Sequence, residues 1–186
     1  SHDVFPSNMK EYVSVAQKMM RAGHRVLMVT KPRMSVIEYI CAELKEELFK
    51  GAFKFRFTIT SHDNNRLKLW EPNAPAFEER IACLELAFKN GFQTSISIEP
   101  MLDEPDTVIE TCIPSVTDTI WIGEMSNSHT WVRELMEKDE KNVAEQERLN
   151  NLYSVENMMK LIQKHGKYEN VFYKTTIMEK CIKSLI

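Results

Sequence analysis

The amino-acid sequence predicts an α/β protein, a partial (β/α) barrel of the incomplete TIM type with additional C-terminal helices. Strand patterns alternate with helical patterns, which is typical of βα units that build a parallel sheet. Residues 54–63 alternate aromatic or β-branched side chains with polar ones, and residues 93–99 show a similar polar alternation. The predicted strands lie near residues 26, 54, 94, 119 and 170.

The polar faces of two strands decide between an open sheet and a barrel. A doubly wound sheet covers both faces of its strands with helices, which does not suit Arg56, Thr58 and Thr60 on one strand or Ser95 and Ser97 on another. In a barrel, one face of each strand lines the interior and tolerates such residues. Because five units do not close an eight-fold barrel, we expect an incomplete one.

The elements of the first half follow from helix stops and apolar periodicity. Ser7 is predicted to cap the first helix and Gly23 to end it. The apolar segment RVLMVT is typical of a buried parallel strand. The predicted order is an extended lead-in at residues 1–6, a helix at 8–22, a strand at 25–30, a helix at 34–48, the strand at 54–63 and an irregular loop at 64–74.

The second half contains the clearest helical pattern, which ends before Gly91. Ser154 is predicted to cap a later helix that stops at Gly166. The predicted order is a helix at residues 75–90, a strand at 93–98, a helix at 105–112, a strand at 118–122, helices at about 130–138, 143–152 and 155–166, a strand at 170–173 and a closing helix.

Composition bounds the class of protein. The 186 residues are 43% hydrophobic and 27% charged, as in an ordinary globular protein. A net charge of −3 argues against general electrostatic binding of nucleic acid, and no apolar segment approaches the roughly 20 residues needed to span a bilayer. We expect the partial barrel in residues 1–138, and in residues 139–186 a helical extension whose last strand and helix complete it.

The cysteines and histidines show no metal-ligand spacing. The four cysteines are widely separated, which predicts buried, reduced thiols in a cytoplasmic protein that does not hold a metal by cysteine. The cysteines are Cys41, Cys83, Cys112 and Cys181, and the histidines predicted to lie at the surface are His24, His129 and His165.

Candidate functional residues stand at the predicted strand ends, where parallel βα architectures gather their working groups. An amine, hydroxyls, an imidazole and carboxylates there suit a small ligand with a carboxylate, an amine and ribose hydroxyls, and equally an ordinary polar rim. Adjacent residues such as Ser61, His62 and Asp63 cannot form a catalytic triad, and a capping or loop-bonding role is favoured for them. The strand ends are Lys31-Pro32, Ser61-His62-Asp63, Glu99-Pro100, Glu124-Met125 and Lys174-Thr175.

Four segments, in this order, resemble consecutive blocks of a radical S-adenosylmethionine enzyme of the spore photoproduct lyase-like group, often labelled DNA repair photolyase. They are RVLMVTK, FRFTITS, WEPNAPAFEERIACLELAFKNGF and TSISIEPML. The resemblance covers about residues 1–125. The later segment VFYKTT resembles the last barrel strand of related members.

The resemblance implies a partial (β/α)6 barrel that holds S-adenosylmethionine at its carboxyl-terminal rim. Lys31 and Ser61 match family positions that contact the methionine and ribose parts of the cofactor, and His2 lies near a third. Glu99 and Met125 lie on later strand ends, where contacts to adenosine are common. In the family a [4Fe–4S] cluster delivers one electron to the cofactor, and the resulting 5′-deoxyadenosyl radical abstracts hydrogen from substrate.

The family's cluster motif, C-x-x-x-C-x-x-C, is missing from this sequence. The chain therefore resembles the C-terminal portion of a longer enzyme, whose missing N-terminal segment would carry the cluster. We expect this polypeptide alone neither to assemble a cluster nor to turn over. Nucleic acid is suggested as a partner by the family label, although the charge gives no support.

Two alternatives come from other functional classes. A non-catalytic barrel remnant used for binding or assembly would have no measurable affinity for S-adenosylmethionine. A Schiff-base lyase would use Lys31 or Lys174 as its nucleophile, and borohydride with a carbonyl substrate would trap it.

Overall fold

A computed structural model of the chain describes residues 3–125 and 140–185. The strands are β1 (Val26–Thr30), β2 (Phe53–Thr58), β3 (Gln93–Ile98), β4 (Ile120–Ile122) and β5 (Val171–Tyr173). The described helices are α1 (Met9–Arg21), α2 (Met34–Glu43), α3 (Glu47–Ala52), α4 (Asn64–Trp70), α5 (Phe77–Lys89), α6 (Asp106–Cys112), a 3-10 turn (Ile113–Ser115), α7 (Glu140–Leu152), α8 (Val155–His165) and α9 (Thr175–Lys183).

All five strands form one parallel sheet in the order β1-β2-β3-β4-β5, which is also their order along the chain. The predicted α/β class and the five predicted strands are therefore confirmed. In this order β1 and β5 are the edges of the sheet among the described residues. Between the strands the chain forms helices, so each parallel connection is a βα unit.

One face of the sheet is apolar and belongs to the core. Phe55, Phe57 and Ile59 are fully buried, as their alternation predicts. They share the core with residues of α2 and α5 such as Ile40 and Leu84. Burying one such side chain stabilises the fold by about 1.5–3 kcal/mol.

The opposite face of the sheet, here called the open face, carries the side chains that alternate with the core residues. Its edges are accessible to solvent, because Leu27 and Val29 of β1 are each 46% exposed and Phe172 of β5 is 41% exposed. Strand register groups its members into rows. The rows are Leu27, Lys54 and Gln93; Val29, Arg56 and Ser95; and Thr58, Ser97, Trp121 and Phe172.

Two segments differ from the prediction. The predicted loop at residues 64–74 contains helix α4, because the Asp63 side chain accepts a hydrogen bond from the backbone N–H of Asn65 at 2.8 Å and so caps a helix start. The predicted strand end at residue 63 is accordingly wrong, since β2 stops at Thr58. The predicted helix at 34–48 is two helices, because Glu46 is extended between them.

Several helix boundaries follow the predicted signals. Gly23 and Gly91 end their helices with φ of 86° and 81°, a left-handed conformation that favours glycine. The Ser154 hydroxyl accepts a hydrogen bond from the backbone N–H of Asn157, as predicted for a cap. The first helix starts one residue later than expected, with Asn8 rather than Ser7 at its N-cap position.

The prediction for one histidine is wrong. His165 is only 3% exposed, and its imidazole contacts the Tyr173 hydroxyl at 2.8 Å and the Asp106 carboxylate at 3.1 Å. His24 is exposed as predicted. His129 and the helix predicted at 130–138 lie outside the described residues. Within the described ranges, no helix is both long and apolar enough to cross a membrane.

Candidate functional site

A cleft of about 640 Å³, here called the rim cleft, lies at the carboxyl ends of the strands. It brings together three of the five residues that the family resemblance assigns to the cofactor: Lys31, Glu99 and Met125. Glu71 and Glu124 also line it. The rim cleft is therefore rich in carboxylates and contains one lysine ammonium among the described residues that line it.

Lys31 is fixed at the end of β1 by the N-terminal lead-in. The Asp3 carboxylate accepts hydrogen bonds from the Lys31 backbone N–H at 3.0 Å and from the Thr30 hydroxyl at 3.3 Å. The Lys31 ammonium lies 3.7 Å from a carboxylate oxygen of Glu71. Both Asp3 and Glu71 thus determine where this lysine stands in the cleft.

Glu71 is held by a buried arginine. Arg80 is fully buried and donates to the other Glu71 carboxylate oxygen at 2.6 Å. The remaining guanidinium N–H groups donate to the backbone carbonyl oxygens of Pro75 at 2.9 Å and Thr58 at 3.2 Å. Because a buried charge needs such partners, Arg80 anchors the wall of the cleft to the end of β2.

Glu99 extends from the end of β3 across the neighbouring strand end. Its carboxylate lies 3.0 Å from the Lys174 ammonium, which follows β5. Gly123 lies between them after β4, and a Cβ atom there would come within 2.8 Å of the Glu99 carboxyl carbon. The absence of a side chain at Gly123 allows Glu99 to reach Lys174.

Glu124 and the helices after it close another side of the cleft. Lys180 of α9 lies 3.1 Å from the Glu124 carboxylate and donates to the backbone carbonyl of Tyr153 at 2.7 Å. Helix α7 reaches the cleft through Glu145, which accepts a hydrogen bond from the Trp70 indole N–H at 3.0 Å.

The charge of Glu145 is stabilised within this contact. Burial acts to raise the pKa of the Glu145 carboxyl, but hydrogen bonds from Arg148 and Trp70 outweigh it and lower that pKa. Glu145 therefore stays ionised at neutral pH and keeps α7 joined to the last residue of α4, Trp70.

Ser61 does not line the rim cleft. It is fully buried, its hydroxyl donates to the Asp103 carboxylate, and it accepts a hydrogen bond from the Asp63 backbone N–H at 2.9 Å. The same Asp103 oxygen contacts Arg66 at 3.3 Å and His62 at 3.4 Å. Ser61 and His62 thus share one carboxylate and do not form a relay.

His2, also a candidate from the sequence, lies outside the described residues. Its neighbour Asp3 lines the cleft. No site role is predicted from the sequence for Asp3, Trp70 or Glu71. For Trp70 and Glu71 a signal was present, because both stand in the WEP segment of the family resemblance.

The cysteines do not fit an iron–sulfur cluster. All four are buried free thiols, and they belong to four different helices: α2, α5, α6 and α9. Burial raises the pKa of Cys41, Cys83 and Cys112 to about 12, so these thiols are protonated at neutral pH, whereas a cluster needs thiolates. In the described part of the chain, no group of three or more His, Cys, Asp or Glu is placed to hold a metal ion.

Comparison with known proteins adds no relative. No protein-family model, no curated protein and no solved structure matches this chain.

Proposed function

We propose that the rim cleft binds S-adenosylmethionine and that the chain is the cofactor-binding portion of a radical S-adenosylmethionine enzyme. The observation that carries this proposal is the meeting of Lys31, Glu99 and Met125 in one cleft at the carboxyl ends of the strands. These residues are separated by up to three strands in the sequence, and only the parallel sheet unites them.

The size and charge of the rim cleft suit this ligand. A volume of about 640 Å³ lies in the range of small-molecule sites. S-adenosylmethionine carries a permanent positive charge on its sulfonium, which the carboxylates of Glu99 and Glu124 would attract. Its carboxylate group would pair with the Lys31 ammonium, and its adenine with the apolar surface of Met125 and Trp70.

The sheet topology supports a barrel arc. Right-handed crossovers between neighbouring parallel strands place their helices on one side of a sheet, and strand order here never reverses. A doubly wound sheet requires a reversal of strand order. We therefore interpret the open face as the interior side of a partial (β/α) barrel.

The described residues supply no site for a [4Fe–4S] cluster, so we assign no step of radical chemistry to them. Their role in the proposed enzyme is to bind and orient S-adenosylmethionine. A cluster would have to come from a segment or partner outside the described residues. The Schiff-base alternative gains no support, because the Lys31 and Lys174 ammonium groups both contact carboxylates.

Calorimetric titration of the chain with S-adenosylmethionine tests the proposal. We expect Lys31→Ala and Glu99→Gln each to weaken binding by about tenfold. Lys89→Ala and Glu85→Gln are matched controls, because these two side chains pair with each other on the exposed surface of α5 and should leave affinity unchanged. S-adenosylhomocysteine, which lacks the sulfonium charge, should bind more weakly than S-adenosylmethionine.

Two results would contradict the proposal. One is the absence of measurable binding by the unmodified chain, which would favour a non-catalytic binding or assembly module. The other is equal loss of affinity in the controls and in the cleft variants, which would place the ligand elsewhere.

A further inference from the structure

The open face carries an arginine, Arg56, that has only uncharged hydrogen-bond partners among the described residues. The Arg56 guanidinium donates to the Ser95 hydroxyl at 3.0 Å and to the Thr119 hydroxyl at 3.4 Å, both uncharged groups. Among the described residues no carboxylate lies within ion-pair distance of it, whereas the neighbouring Lys54 is paired with Asp118 at 2.7 Å. Hydrogen bonds to the described residues occupy two of its five N–H groups, which leaves three to donate.

An aromatic surface lies beside this guanidinium. The Trp121 ring stacks on Phe172 with centroids 5.3 Å apart, and the Arg56 guanidinium carbon is 5.8 Å from the centroid of the Trp121 ring. Ser95 and Ser97 of β3 stand between β2 and β4 and are themselves buried. The half-buried cation and the two rings thus lie beside each other on the open face.

We propose that the open face binds the anionic group of a planar, ring-containing small molecule, with the anion on Arg56 and the ring against Trp121 and Phe172. Charge complementarity selects this occupant, because a guanidinium with free donors recognises a carboxylate or phosphate through charge-assisted hydrogen bonds. The aromatic pair adds stacking for a flat ring.

This part of the open face adjoins the rim cleft. Thr58 and Ser97 line the rim cleft, and Arg56 lies one row further down the same face. The two sites differ in their charged groups, because the rim carboxylates Glu71, Glu99 and Glu124 are ion-paired, whereas the cation on the sheet has uncharged hydrogen-bond partners. If the open face binds the substrate of the proposed enzyme, this assignment rests on the proposed function. If it binds an anion of another kind, the assignment does not depend on that function.

Ligand-observed NMR titrations at low ionic strength test the assignment with three probes. Benzoate carries a ring and an anion, acetate only the anion and benzamide only the ring. We expect benzoate to bind more tightly than either of the others. Arg56→Gln should weaken benzoate by about tenfold, and Trp121→Leu should remove its advantage over acetate. The controls are Lys18→Gln in α1 and Phe88→Leu in α5, which change exposed residues on helices rather than on the sheet.

The same variants are titrated with S-adenosylmethionine to separate the two proposals. Benzoate binding that depends on Arg56 supports the anion site even if S-adenosylmethionine does not bind. Equal affinity for benzoate and benzamide, or an unchanged affinity in Arg56→Gln, would overturn it. The anion site would also be overturned if the chain forms a dimer in size-exclusion chromatography and Phe172→Ser converts it to a monomer. The open face would then be an interface between two copies of the chain.

Discussion

The Glu99 carboxylate reaches the Lys174 ammonium by passing over Gly123, so one ion pair connects the ends of β3 and β5 across β4. This ion pair positions Glu99, an acidic residue of the rim cleft, through a lysine that follows the edge strand β5. The contact has no local sequence signal, since the two residues are far apart in the chain and the glycine between them contributes only the absence of a side chain.

Gly123→Ala is expected to displace Glu99 with little loss of stability. The new Cβ would lie 2.8 Å from the Glu99 carboxyl carbon, and the flexible Glu99 side chain can move where backbone could not. We expect affinity for S-adenosylmethionine to fall by about tenfold, measured by calorimetric titration. The free energy of unfolding should change by no more than about 1 kcal/mol.

Gly51→Ala is the matched control for this substitution. Gly51 lies in α3, and a Cβ there meets no atom within 4 Å. Alanine should stabilise the helix by about 0.5–1 kcal/mol and leave affinity unchanged. If Gly123→Ala binds as tightly as the unmodified chain, Glu99 does not contact the ligand.

Arg80→Met is expected to destabilise the fold strongly. Arg80 is fully buried, and its loss leaves the Glu71 carboxylate with one weaker partner, Lys31 at 3.7 Å. Removing one partner of a buried ion pair costs about 3–5 kcal/mol, which urea unfolding would detect as a lower midpoint.

Exposed Arg25→Met provides the control for Arg80→Met and should change the free energy of unfolding by less than about 0.5 kcal/mol. The double variant Arg80→Met with Glu71→Gln should recover part of the loss, because no buried charge then remains unpaired. If the double variant is no more stable than Arg80→Met alone, packing rather than charge explains the effect.

The fold was more predictable than the site. Alternation alone separates Phe55 and Phe57 in the core from Arg56 on the open face, because strand side chains alternate strictly between faces. The carboxyl ends of parallel strands lie at one edge of a sheet, so Lys31 and Glu99 could be placed together there. Helix α4 lies in a segment predicted to be a loop, whereas Asp63 at its N-cap agrees with the capping role favoured for the cluster Ser61-His62-Asp63.

The remaining site contacts depend on long-range geometry. Glu71 meets Arg80 only because the loop after α4 folds back on α5, and a single sequence does not show such a pair. His165 was expected at the surface, because its partners Asp106 and Tyr173 lie on other elements. Ser61 was expected at the cofactor, and its burial against Asp103 follows from the path of the segment after β3.

Stability should fall in acid through Asp106. Burial acts to raise the pKa of this carboxyl, but hydrogen bonds from Lys164 and His165 outweigh it and lower the pKa below its ordinary value of 3.8. Between the folded and the unfolded pKa the unfolded chain binds more protons, so the stability from Asp106 is present above pH 3.8 and is lost as pH falls through the folded pKa.

Asp106→Asn should therefore lower the urea midpoint at about pH 7 and reduce the further loss at about pH 3. Glu110→Gln removes the same charge from an exposed position on the same helix and should leave the acid loss intact. An acid loss of the same size in Asp106→Asn would show that other carboxylates, such as Asp118 beside Lys54, dominate it.

Ser61→Ala distinguishes an anchoring role from contact with the cofactor. The Ser61 hydroxyl donates to Asp103 and is fully buried, so its loss should lower the free energy of unfolding by about 1–3 kcal/mol. If Ser61 acts only by holding the segment after β2, affinity for S-adenosylmethionine should stay within about twofold of that of the unmodified chain.

Thr111→Ala, which removes an exposed hydroxyl bonded within α6, controls for the loss of a hydroxyl alone. An affinity about tenfold weaker in Ser61→Ala, with an unchanged free energy of unfolding, would instead place the Ser61 hydroxyl against the ligand. For that contact the hydroxyl would have to rotate away from Asp103.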